Sequence, residues 1–87
     1  MNGQLFDLEI ISRQKALFAG KCDFVIVPTT TGEIGILCGH IPLMSVISKG
    51  RIRIYKNNSS IKEMEVNSGF IEVKRKYVNI LISNSKS

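Results

Sequence analysis

An alternation of period two runs through most of this chain and decides its fold class. Phe6, Leu8 and Ile10 alternate with Asp7 and Glu9; Ile52 and Ile54 with Arg51, Arg53 and Tyr55; Met64 and Val66 with Glu63 and Glu65; Ile71 and Val73 with Glu72 and Lys74; Val78, Ile80 and Ile82 form a last apolar face. Successive side chains of a strand point to opposite faces, so each segment reads as a half-buried strand. Phe24-Val25-Ile26-Val27 is apolar on both faces and mostly β-branched, which suits a strand covered on two sides near the middle of the fold, with Pro28 stopping it. Turn chemistry falls between these segments at Ala19-Gly20, Thr31-Gly32, Gly39-His40, Lys49-Gly50 and Asn57-Asn58-Ser59-Ser60. Strands spaced in this way form an all-β sandwich or barrel. In Ile41–Ile47, Pro42 at the start and β-branched Val46 and Ile47 at the end predict a turn leading into a strand, so no substantial helix is expected.

The 87 residues amount to one domain, expected over residues 1–83, followed by a polar tail at 84–87 that should fray. A domain of this size buries about 60–65% of its unfolded surface, which leaves little room for a catalytic cavity beside a core and favours an interaction module. No apolar run approaches the roughly 20 residues of a spanning helix, so no membrane insertion is expected, and the start of the chain lacks the pattern of a secretion signal. Cys22 and Cys38 lie too far apart for a CxxC site and His40 is the only histidine, so no metal site is assigned and the cysteines read as buried thiols of a reducing compartment. Gly32-x-x-Gly35-x-x-x-Gly39 lacks the GK[ST] ending of a phosphate loop and no helix follows it. The carboxylates fall mostly on outward strand positions, so no catalytic residue and no cofactor is assigned.

The net charge of +5 invites a nucleic-acid reading, but the basic residues are scattered. Only Lys74-Arg75-Lys76 forms a run, and it sits where a hairpin turn is expected. The alternative to an interaction module of another kind is an OB-like single-strand binder built on Arg51, Arg53 and Tyr55, outward on one strand. A solvated face with cross-strand pairs to Glu63 and Glu65 accounts for the same residues, and no nucleic-acid partner is expected.

The stretch Gly32-Glu33-Ile34-Gly35-Ile36-Leu37-Cys38-Gly39-His40-Ile41-Pro42-Leu43-Met44 reads as a shaped, partly exposed loop system. It resembles the signature GE-hydrophobic-G-x-x-x-GH-x-P of the N-terminal β-sandwich domain of the epsilon subunit of F-type ATP synthase. Leu8–Ser12 with Phe18-Ala19-Gly20, Asp23–Pro28, Lys49–Ile54 and Ser68-Gly69-Phe70-Ile71-Glu72-Val73 are similar to its other motifs, in the same order. Cys38 stands where the family usually has proline, and Ser68 replaces the first glycine of a GG pair. The resemblance implies a two-layer β-sandwich of about ten short, mostly antiparallel strands. The family usually continues into a C-terminal pair of helices, and this chain stops at Ser87. The expectation is therefore a member without the hairpin that inhibits hydrolysis or binds ATP, and no small-molecule ligand.

The resemblance also implies a non-catalytic role: binding the gamma subunit and the c-ring in the central stalk and coupling proton flow to ATP synthesis, on the cytoplasmic side of a bacterial inner membrane. Carried over by position, Thr29, Thr30, Thr31, Gly32 and Glu33 are the implied c-ring contact, with Glu33 aimed at polar or basic groups of the ring. Ser12, His40, Pro42 and Ser45 are the implied gamma contacts. Gly35, Gly39 and Gly69, like Gly32, are expected to shape turns through their φ angles. Stalk binding further requires an uncovered apolar patch on the face or edge nearest His40.

Overall fold

The structure, a computed structural model, describes residues 4–83. Residues 1–3 of the expected domain and the polar tail at 84–87 lie outside the described residues. Nine strands follow one another: β1 (Phe6–Ile11), β2 (Ala16–Cys22), β3 (Phe24–Thr29), β4 (Gly32–Leu37), β5 (Leu43–Ile47), β6 (Gly50–Lys56), β7 (Ser59–Val66), β8 (Ser68–Val73) and β9 (Tyr77–Ser83). No helix occurs among the described residues. All pairings are antiparallel except β1 with β9.

The alternating segments do what their pattern dictates. Buried and exposed residues alternate through all of β1, and the same parity buries Ile71 and Val73 in β8 and Val78, Ile80 and Ile82 in β9. Asn57 and Asn58 take φ of 55° and 65°, the left-handed pair of a tight hairpin turn that matches strand twist, and so set Lys56 opposite Ser59. Three local expectations give way to tertiary pairing. Ala19-Gly20 does not turn but lies inside β2, held opposite Glu9 and Leu8. Pro28 does not stop β3, because its missing N–H is no loss at a position where its carbonyl instead accepts the Ser48 N–H at 3.0 Å. Gly32–Leu37 is a strand, which confines the loop of the expected loop system to the residues between β4 and β5.

The hydrogen-bonded order is β2-β1-β9-β8-β5-β3-β6-β7, with β4 on the other edge of β3. β3 is the hinge of this path. Phe24, Val25 and Ile26 pair with β6, whereas Thr29 alone pairs with β5, at Ile47. One pair joins the layer β2-β1-β9-β8-β5 to the layer β4-β3-β6-β7, so the sheet curls into a half-barrel sandwich around one core. Leu8, Ile10, Ile47, Ile71 and Ile80 from the first layer meet Val25, Val27, Ile36, Ile52 and Ile54 from the second. Each such side chain contributes about 1.5–3 kcal/mol on burial.

This arrangement gives the domain two distinct ends. At one, the β3–β4 turn stands beside Ile47 and Ser48. At the other, the Gly39 N–H donates to the Arg75 carbonyl in the β8–β9 turn at 3.1 Å.

Candidate functional site

The β3–β4 hairpin is closed by its own threonines. Thr30 and Thr31 form the turn, the Thr29 hydroxyl donates to the Gly32 carbonyl at 2.6 Å, and the Thr31 N–H donates back to Thr29 Oγ1 at 3.3 Å. Gly32 follows at φ +126°, a conformation that L side chains rarely adopt. Thr29, Thr30, Thr31, Gly32 and Glu33 are thus brought together on one projecting tip. Glu33 is not idle there: its Oε2 meets Arg53 Nη2 at 2.7 Å. Arg53 lies opposite Glu63 in the β6–β7 ladder, yet Glu63 bonds Arg51 at 3.3 Å, and Arg51 also holds Glu65 at 3.2 Å. The cross-strand pairs expected of Arg51 form; the pair expected of Arg53 crosses β3 to β4 instead.

The four residues assigned to a second contact are spread over the first layer. His40 sits at the end opposite the hairpin tip, with its N–H donating to the Leu37 carbonyl at 3.0 Å and Nδ1 donating to the Ile41 carbonyl at 2.7 Å. Pro42 is exposed beside it. Ser12 lies at the far end of β1, where its hydroxyl accepts the N–H groups of Gln14 and Lys15 and organises the β1–β2 turn. Ser45 shares the inward parity of Leu43 and Ile47 on β5. Of the glycines, Gly39 needs its φ of +84°, but Gly35 and Gly69 are strand residues. Those two serve close approach: a Cβ on Gly35 would lie 2.7 Å from the Phe24 ring, and one on Gly69 would overlap the Leu81 carbonyl.

His40, Pro42 and Ser12 border an exposed apolar face of the first layer, on which Ser45, with its inward parity, does not lie. Ile41 and Met44, near His40, are 76% and 74% exposed, where an uncovered patch was expected, whereas Leu37, 42% exposed, belongs to the outer face of the second layer. The widest part lies further along the sheet. Val46 pairs with Phe70, Phe70 with Leu81, and Leu81 with Ile11, so one outward row crosses β5, β8, β9 and β1. All four side chains are exposed, Phe70 by 58%. Val46, Phe70 and Leu81 line a shallow, almost wholly apolar cleft of about 290 Å³ with Arg13 at its rim. Period two alone hides this row, although Ile10-Ile11, Phe70-Ile71 and Ile80-Leu81-Ile82 each show it as an apolar residue on the parity that should be polar.

The outer face of the second layer is different. Its end nearest His40 carries a groove of about 500 Å³ lined by Phe24, Leu37, Tyr55, Asp23 and Asn58, with the Phe24 and Tyr55 rings 5.8 Å apart. The remainder is the network of Arg51, Arg53, Glu33, Glu63 and Glu65. Arg51 and Arg53 are thus paired with carboxylates of the domain, and the Tyr55 ring lies against Phe24 in the groove. Among the described residues no cluster of metal-ligating side chains occurs. Cys22 and Cys38 are free thiols, and burial pushes the Cys22 thiol up to about 11.

Residues 5–86 match the family described as ATP synthase, Delta/Epsilon chain, beta-sandwich domain. The ATP synthase epsilon chain of Dichelobacter nodosus is 38% identical over 76 residues, which cover 87% of this chain and 53% of that protein. The epsilon chain of Caldanaerobacter subterraneus subsp. tengcongensis is 40% identical over 78 residues, 90% of this chain and 56% of that protein. The chain thus spans about half the length of the curated relatives it matches. The same fold occurs in the cryo-EM structure of the Euglena gracilis mitochondrial ATP synthase OSCP/F1/c-ring, with a TM-score of 0.81 at 18% identity over 88% of this chain and 49% of that one. It also occurs in the central stalk/c-ring structure from Tetrahymena thermophila, at 0.76 and 11% over 97% of this chain and 67% of that one. By the match over residues 5–86, this chain belongs to the ATP synthase delta/epsilon chain β-sandwich domain family.

Proposed function

We propose that this chain is a non-catalytic central-stalk component of an F-type ATP synthase, peripheral to the cytoplasmic face of a bacterial membrane, that joins the gamma subunit to the c-ring. The outward row Val46–Phe70–Leu81–Ile11 carries the reading, because an apolar row this exposed on a stiff sheet calls for a partner. The gamma subunit docks on this face, with His40 and Pro42 at one end and Ser12 at the other. Ser45 acts from behind it, through the backbone of β5. The Thr29–Glu33 hairpin tip meets the polar loops of the c-ring. A two-residue turn locked by Thr29 suits that task, since a contact that transmits torque must not bend.

The test is reconstitution. Mixed with the gamma subunit, the chain should elute as a stable 1:1 complex in size-exclusion chromatography. Glu33→Arg should weaken attachment of that complex to the c-ring and leave the domain folded, with only a small drop in thermal stability from the lost Arg53 pair. If no complex with gamma forms, the proposal fails.

A further inference from the structure

We infer that Arg53 is a latch on Glu33: it holds the Glu33 carboxylate while the hairpin tip is unoccupied, and passes to Glu63 when Glu33 engages a cationic group of the partner. The inference rests on the reading that the β3–β4 tip meets the c-ring, and it assigns the positioning residue for that contact. Two observations carry it. Three carboxylates, Glu33, Glu63 and Glu65, serve two guanidinium groups, Arg51 and Arg53. One carboxylate can therefore leave without orphaning an arginine. The ladder also sets Glu63 directly opposite Arg53, although the Glu63 carboxylate now bonds Arg51.

The exchange is local. Arg53 aligns with Ile26 on β3 and Glu33 with Pro28, two residues along the same strand, so the guanidinium reaches diagonally across one strand to close the 2.7 Å pair. Turning back to β7 brings it to its directly opposed neighbour, and Arg51 keeps Glu65 at 3.2 Å. Both side chains of the Glu33–Arg53 pair are partly solvated, at 48% and 33% exposure, so breaking it costs no buried charge. Glu33 stands next to the turn that projects, which makes it the member of the network a partner reaches first.

Binding of the full chain to a detergent-solubilised ATP synthase c-ring, measured for four single variants and one double variant, tests this. Glu33→Gln should weaken binding. Arg53→Met, with Arg53→Gln as a second form, should tighten it about three-fold, the scale of an exposed ion pair no longer competing. Glu63→Gln should weaken binding about two-fold in the parent, because Arg53 then has no second partner, and should have no effect in the Arg53→Met background. If Glu33→Gln leaves binding unchanged, the docking of the hairpin on the ring fails and the latch fails with it. If Glu33→Gln weakens binding but Arg53→Met does not tighten it, the latch alone fails. A Glu63→Gln effect that persists in the Arg53→Met background also overturns it, since that effect would be a general loss of negative charge.

Discussion

Phe70 and Ile71 are neighbours in β8 that face opposite ways, and replacing each by alanine separates docking from folding. Phe70 is 58% exposed, so of the roughly 200 Å² that a phenylalanine carries, about 115 Å² remains available to a partner. Removing it, with allowance for the alanine methyl, forfeits about 2 kcal/mol at about 25 cal/mol per Å², or roughly a 30-fold loss of affinity. Its effect on folding should stay within about 0.5 kcal/mol, as for other surface substitutions. Ile71 is 0% exposed, and Ile71→Ala should lower unfolding free energy by about 2–5 kcal/mol through lost burial and the cavity left behind. Isothermal titration against the gamma subunit reads the first quantity and urea unfolding the second. If Phe70→Ala folds normally and binds gamma within two-fold of the parent, the outward row is not the docking face.

Two further substitutions probe the glycines. Gly69→Ala should cost more than about 3 kcal/mol in thermal or urea unfolding, because its Cβ meets the Leu81 carbonyl and Ile82 Cα, backbone atoms fixed in the β8–β9 pair. Gly35→Ala should cost distinctly less, because what it meets at 2.7 Å is the Phe24 ring, which lies on the outer face and can swing. A third prediction concerns pH. The Cys22 thiol, raised from its ordinary 9.0 to about 11 by burial, favours the folded state fully below pH 9, and that contribution is lost as pH rises from 9 to about 11. The slope reaches at most about 1.4 kcal/mol per pH unit. Unfolding curves of the parent and Cys22→Ala should therefore converge across this window, and parallel curves would refute the assignment.

The strands with one polar face were legible because water enforces period two on them: β1, β6, β8 and β9 lie where the alternation puts them. Ala19-Gly20 and Pro28 misled because turn propensity is a local preference of a few tenths to about one kcal/mol, and the ladders of β1 and β5 outweigh it. The roles of Gly35 and Gly69 were hidden for another reason. A φ requirement belongs to the residue itself, whereas close approach belongs to whatever strand arrives opposite it, here Phe24 and Leu81. The hairpin tip could be read as one unit because its five residues are consecutive. The partner of Glu33 could not be read, since Arg53 is 20 residues away and its nearest carboxylate by register is Glu63.

The two outer faces of the sandwich solve opposite problems, and the sequence spends its charge accordingly. On the second layer, arginines and carboxylates satisfy one another over the part of the surface away from the Phe24–Tyr55 groove and keep that part solvated. On the first, Asp7 of β1, Lys21 of β2 and Glu72 of β8 lie toward the His40 end, where Lys21 holds Asp7 and Lys74 of the β8–β9 turn holds Glu72, and the row through Phe70 is left bare. A docking face placed there and a tip placed on the β3–β4 turn are linked through one strand, β3, whose Thr29 closes the turn and pairs with Ile47 of the docking sheet. Force applied at the tip reaches the bare row through that pair and the Pro28–Ser48 hydrogen bond rather than through a loop. The hinge of the sheet is thereby also the shortest mechanical path between the two proposed contacts, which is why the strand with the most partners is the one that ends in the hairpin.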